Sequence, residues 1–131
     1  MDRRTVEAFE KEHHYILPEC YITFLLACDN RPETYCESRD IFLCSLEQLP
    51  QERDMHEMDK YCPEYLAIGW GGGGEVLIMK QERDTNTLIA ASGGNLISRF
   101  ITPPYCRFFE DFFAGWVSRG CPAAEIDSIY Q

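Results

Sequence analysis

The sequence predicts an α+β fold: a mostly antiparallel sheet with N-terminal helices and a C-terminal aromatic-rich helix packed on it. Three observations carry that expectation. Apolar residues recur at helical spacing through residues 5–28, short β-rich runs separated by turn residues occupy 41–101, and a stripe of aromatics at helical spacing follows. The order is helix, helix, strand, acidic segment, strands, helix, which is not a βαβ alternation. With 131 residues, 45% of them hydrophobic and 13% aromatic, the chain suits one domain over 1–131 with its own core, not a disordered segment.

The first helix is expected from Thr5 to His14, with Val6, Phe9 and His13 inward and Glu7, Glu10, Lys11 and Glu12 outward. Pro18 suits the first turn of a second helix, where its missing N–H costs nothing. Tyr21, Ile22, Phe24, Leu25, Leu26 and Cys28 then cover nearly the whole cylinder, so this helix should be buried. Asp29, Asn30, Arg31 and Pro32 end it. Ile41 to Cys44 is a short strand, and Ser45 with Gln48 has the spacing of a capping box, in a turn that Pro50 interrupts. From Gln51 to Lys60 the chain is strongly charged, with Met55 and Met58 as its apolar anchors, which predicts a surface helix or a loosely held acidic loop.

Tyr65 to Ile68 and Glu75 to Met79 read as two strands joined by a glycine-rich stretch. The second lacks alternation, so it belongs at the centre of the sheet with both faces covered. Thr87 to Ala91 and Leu96 to Ile101 are expected as further strands around the turn residues 92–95. Phe108, Phe109, Phe112, Phe113, Trp116 and Val117 fall on one stripe of a helix that Thr102 caps, Pro103 begins, and Gly120 and Pro122 end. Burying each of these aromatics is worth about 2 kcal/mol before entropy, so the stripe must lie on the sheet or another helix. Residues from Pro122 to Tyr130 add a final helical turn.

Charge narrows the function. Twelve Lys and Arg face 22 Asp and Glu, for a net charge of −10. Proteins that grip nucleic acid or anionic membranes do so with Lys and Arg, so neither is an expected partner, whereas a basic protein is. The surplus is uneven: residues 1–64 carry 15 acids and 7 bases, and the remainder 7 and 5. Nothing resembles a secretory leader or a membrane span, which predicts a cytoplasmic protein. Seven cysteines, an odd number, fit reduced thiols serving as small hydrophobes.

The candidate catalytic and ligand motifs each lack an essential part. Gly69 to Gly74 has the spacing of a phosphate loop, but Glu75 and a strand follow it where a Lys and a helix N-terminus are needed. His56 and Glu57 begin like a zinc-protease helix, yet Lys60 stands where the second His belongs. No two cysteines have structural zinc spacing. Ser92 sits in a weakened nucleophile elbow, but the triad order requires a downstream His and the last one is His56. Nothing singles out a Cys–His pair among the remaining combinations. The sequence therefore predicts no enzyme, no cofactor and no metal.

Leu17, Pro18, Tyr21, Phe24 and Leu25, followed by Asn30, resemble the opening of the SUKH superfamily, in which a short helix leads to Leu-Pro-x-x-Tyr-x-x-Phe-Leu and an Asn-containing turn. Ile68 and Gly69, with Gly74, Glu75 and Val76, look like its Ile-Gly, glycine-rich turn and acidic residue before a central strand. The Phe108 to Trp116 stripe is similar to its closing helix. Where the family often has Asn-Gly-Gly, here Arg31 and Pro32 follow Asn30. The resemblance implies an α+β sheet without catalytic residues. It further implies an intracellular immunity protein that neutralises a bacterial toxin, frequently a nuclease, or alternatively a regulatory scaffold such as the fungal members. An acidic inhibitor can compete for a surface that a nuclease reserves for phosphates. The expected contact residues are Glu52, Asp54, Glu57 and Asp59, with Trp70 and Glu75 at the glycine-rich turn.

Overall fold

Asp2 accepts a hydrogen bond from the Thr5 backbone N–H at 3.0 Å and so starts the first helix, α1 (Arg3–His13). The computed structural model describes residues 1–35, 41–102 and 105–119. Pro18 immediately precedes α2 (Glu19–Ala27), whose Cys20, Tyr21, Ile22, Phe24 and Leu25 are all buried, as the apolar cover predicts. Asp29 and Asn30 both take the left-handed conformation, with φ of 52° and 59°, and close the turn without glycine. Asn30 then donates to Glu47 at 2.8 Å and accepts from the Leu46 N–H at 2.8 Å, fastening the end of α2 to the turn after β1.

Strand β1 (Ile41–Leu43) leads to that turn, where the Ser45 backbone N–H donates to the Gln48 side chain at 2.8 Å in the expected capping box. Two short helices follow, α3 (Leu49–Met55) and α4 (Met58–Tyr61). Pro50 starts α3 instead of interrupting it, because proline in a first turn lacks only an N–H that the helix would leave unpaired. Strands β2 (Tyr65–Gly71), β3 (Glu75–Lys80), β4 (Leu88–Ser92) and β5 (Cys106–Phe109) complete an antiparallel sheet in the order β1-β2-β3-β4-β5. The last element described is α5 (Phe112–Ser118).

The glycine-rich stretch makes the β2–β3 hairpin, with Gly74 at a φ of 79°, and β3 is the central strand. Side chains alternate between two packed layers, as the two-residue period of a strand requires. Leu66, Ile68, Leu77, Met79, Leu88 and Ala90 face α2 and α5, whereas Ala67, Val76, Ile78, Ile89 and Ala91 face Met58, Cys62, Leu96 and Ile101. On the first face Phe24 meets Phe113 and Trp116 at ring-centroid distances of 5.1 and 4.7 Å, so α2 and α5 share one aromatic cluster.

Four local expectations are corrected. The run from Leu96 to Ile101 is not a strand: Ser98–Phe100 is a single 3-10 turn, and Leu96 and Ile101 cover the second sheet face. The place beside β4 is taken by Cys106–Phe109, so Phe108 and Phe109 lie in an edge strand and the aromatic helix begins only at Phe112. Open ladder groups on β4 need partners, and that requirement outweighs helical spacing in the first turn of the stripe. Glu10 is buried, not outward; it accepts from the Leu17 N–H at 2.8 Å and from Arg83 at 2.9 Å. The charged segment 51–60 is tied down, because Arg53 is buried and donates to the Tyr65 carbonyl at 2.7 Å, the Pro63 carbonyl at 2.9 Å and Asp59 at 2.6 Å. The expected roles of Pro103 and Gly120, the final turn at 122–130, and Cys36 and Cys121 lie outside the described residues.

Candidate functional site

Leu49 is buried in α3, and positions three, four and seven residues on share its face. Those positions hold Glu52, Arg53 and His56. The inward face of α3 is therefore polar after its first residue, and it lies over the glycine-rich end of the β2–β3 hairpin. A cavity of about 320 Å³ opens there, lined by Glu52, Met55, His56, Trp70, Glu75, Val76 and glycines 71, 74 and 93. An adjoining hollow of about 400 Å³ shares Met55, His56 and Gly93 and continues to Glu57, Tyr61 and Leu96. Together they form a groove along the end of α3.

The strands supply the opposite wall. Trp70 stands beside Phe42 in the β1–β2 ladder, and the rings stack at 4.1 Å with planes 15° apart, which leaves the indole 38% exposed at the cavity mouth. Met55 is 64% exposed and Tyr61 also stands out to solvent, so the groove has an apolar rim. Glu75 faces Ser92 across the β3–β4 ladder and accepts from Arg107 at 2.6 and 2.8 Å. Glu52 has a looser neighbour in His56, one helical turn on. Its side chain is 9% exposed, Oε2 accepts no hydrogen bond, and the nearby His56 Nε2 stands 3.4 Å away.

Of the six residues expected from sequence, Glu52, Trp70 and Glu75 meet around one cavity, and Glu57 borders the adjoining hollow at a left-handed φ of 50°. Asp54 is exposed on α3 and lines neither. Asp59 is exposed but spends its carboxylate on Arg53, which gives it a structural task. Sequence reasoning missed His56 and Met55 as lining residues. Counting helical positions from Leu49 would have found His56, whereas the hydropathy of the segment hid it.

The chemistry on offer is recognition by charge, indole and apolar contact. Burial pushes the thiols of Cys20, Cys28 and Cys62 up to about 11 and that of Cys44 higher still. Thiols so placed are protonated at neutral pH and poor nucleophiles. Among the described residues no three His, Cys, Asp or Glu side chains gather as a metal site, and no helix is long and apolar enough to cross a membrane.

No curated protein and no solved structure matches the chain significantly. A family does. Residues 2–114, which run from the cap of α1 into α5 and include the whole sheet and the groove, match the SMI1 / KNR4 family (SUKH-1). The paired helices, the tight Ile68–Gly69 step and the glycine-rich hairpin thus occur together in one fold, and this chain belongs to the SMI1 / KNR4 family (SUKH-1).

Proposed function

We propose that this domain is a cytoplasmic immunity protein that binds a cognate toxin of nuclease type and neutralises it by covering its basic active surface. The observation that carries the reading is the groove. It brings the buried Glu52 and the exposed Glu57, both from the half of the sequence that holds most of the negative surplus, together with Trp70, Met55 and Tyr61. Exposed aromatics anchor interfaces, and flanking charge accelerates encounter with an opposite surface. The role needs neither catalysis nor a cofactor, and its net charge disfavours nucleic acid and anionic membranes as partners.

Asp54 and Glu57 are the acids to test, because their reversal leaves the Arg53 ties intact. Affinity capture from native lysate with a salt-ramp elution identifies the partner, which is then expressed alone and together with this protein. The expected partner is a basic domain that arrests growth by itself and does not when this protein is present. With Asp54→Lys and Glu57→Lys combined, association should slow about tenfold at low salt and converge on the wild-type rate at high salt. A captured cell-wall or signalling complex, with no toxin among the salt-sensitive proteins, would establish the scaffold reading instead.

A further inference from the structure

Six large apolar side chains stand out to solvent among the described residues, and three of them, Met55, Tyr61 and Trp70, border the groove at the end of α3. Single exposed hydrophobes are ordinary, but a set gathered at the mouth of a cavity keeps in water an apolar surface that a partner can cover. The cavity beneath them is open. Its floor includes glycines 71, 74 and 93, and a methyl group on Gly93 would rest 3.4 Å from the Gly74 carbonyl oxygen and 3.9 Å from Val76 Cγ2, two residues of the same lining. The fold thus leaves unfilled a space that it could fill without a clash.

The two parts of the groove ask for different chemistry. In the cavity the charges are answered within the fold, because His56 stands 3.4 Å from Glu52 and Arg107 holds Glu75. What it offers a visitor is the Trp70 ring, the Met55 thioether and Val76. Indole and thioether both make favourable contacts with an aromatic ring beyond simple burial. The adjoining hollow carries the exposed Glu57. That carboxylate shares the field of Lys60, whose ammonium lies 5.0 Å from the Tyr61 ring centre instead of closing an ion pair with it. With a net charge of −10 behind Glu57, this end of the groove attracts a cation.

We propose that the groove takes a segment of a protein partner that seats one aromatic side chain in the cavity, between Trp70 and Met55, and turns a lysine or arginine toward Glu57 in the adjoining hollow. The segment is the part of the partner that the binding surface proposed above grips, and the inference rests on that reading. Peptides test it without reference to toxicity.

The probe is the capped peptide acetyl-Gly-Phe-Gly-Lys-Gly-amide, with its two side chains on one side of an extended backbone. It is titrated into the full chain and followed by NMR. Saturable shifts are expected at the Trp70 indole N–H, the Met55 methyl and the Gly93 and Gly94 amides, with an affinity on the order of 1 mM for so short a ligand. Replacing phenylalanine by alanine in the peptide should abolish binding. Replacing lysine by the uncharged norleucine should weaken it about threefold at low salt and leave no difference at high salt. In Glu57→Gln the two peptides should bind alike. Trp70→Ala should cost about tenfold, and Gly93→Ala about threefold, because the added methyl occupies the floor. Both variants are checked for native spectra; if Trp70→Ala fails to fold, Gly93→Ala and the alanine peptide still decide. Equal binding of the alanine peptide, shifts confined to other surfaces, no saturation at about ten times the expected dissociation constant, or unchanged affinity in the folded variants would overturn the aromatic seat. Equal binding of the lysine and norleucine peptides at low salt would overturn the cationic half. Peptide binding beside a partner that is no toxin removes the immunity reading and keeps the groove. A neutralised toxin whose affinity neither Trp70→Ala nor Gly93→Ala alters removes the groove and keeps the immunity reading.

Discussion

A methyl group at Gly69 would lie 2.2 Å from the Phe42 carbonyl oxygen and 3.2 Å from the Leu43 Cα, so β1 reaches β2 only because position 69 has no side chain. The contact is backbone against backbone and cannot be relieved by a rotamer change. Gly69→Ala should therefore destabilise by about 2–3 kcal/mol, the range of overpacked cores, and loosen β1. Gly73, four residues further on in the hairpin turn, has open space around its absent side chain. Gly73→Ala should change stability by less than about 0.5 kcal/mol. Urea unfolding of the two variants checks both; similar losses would mean that the hairpin glycines serve flexibility in common instead of this single approach.

Between elements, Arg53 does for α3 and α4 what an apolar residue does elsewhere. It is buried, spans Asp59 on α4 and the Pro63 and Tyr65 carbonyls entering β2, and its guanidinium lies 5.6 Å from the Tyr15 ring centre. Arg53→Met removes three hydrogen bonds at once and should cost about 3 kcal/mol. Asp59→Asn removes one exposed charge and should cost about 1 kcal/mol or less. If denaturation shows the two losses to be equal, the ion pair and not the carbonyl contacts holds the helices. The same element explains why the groove has a wall: together with the buried Leu49, Arg53 holds α3 beside β2.

Across the whole molecule, titration bounds the stable range on both sides. The Arg3 guanidinium, donating to Glu19 at 2.6 Å, holds that carboxyl below its ordinary 4.5, and the Thr5 N–H does the same for Asp2. Carboxyls with depressed folded values stabilise fully above their unfolded values and lose that contribution as pH falls through the folded ones. Burial acts oppositely on Cys20, Cys28 and Cys62, raised from 9.0 to about 11. Their contribution is complete below pH 9 and disappears as pH rises toward 11. Urea midpoints measured against pH should form a plateau from about pH 5 to pH 9 with a decline on each side. Cys62→Ser should make the alkaline decline shallower. A wild-type midpoint that stays constant from pH 9 to 11 would show that these thiols titrate as in the unfolded chain.

Local chemistry determined much of this protein. Apolar cover around Tyr21 to Leu25, the unbroken apolar run of β3 and the glycines of the hairpin specify a buried helix, a central strand and a tight turn whatever surrounds them, because each depends on burial or backbone freedom alone. Two of the six expected contact residues meet for a related reason, since Trp70 and Glu75 flank one hairpin. Competition between distant segments decided the rest. Whether Phe108 continues a helix or pairs with β4 depends on which segment fills the open ladder. Whether Glu10, Glu52 and Arg53 face water or protein depends on partners elsewhere in the chain, as far as the 73 residues that separate Arg83 from Glu10. A spacing rule sees one element at a time, whereas the satisfaction of a buried charge is a property of everything packed around it.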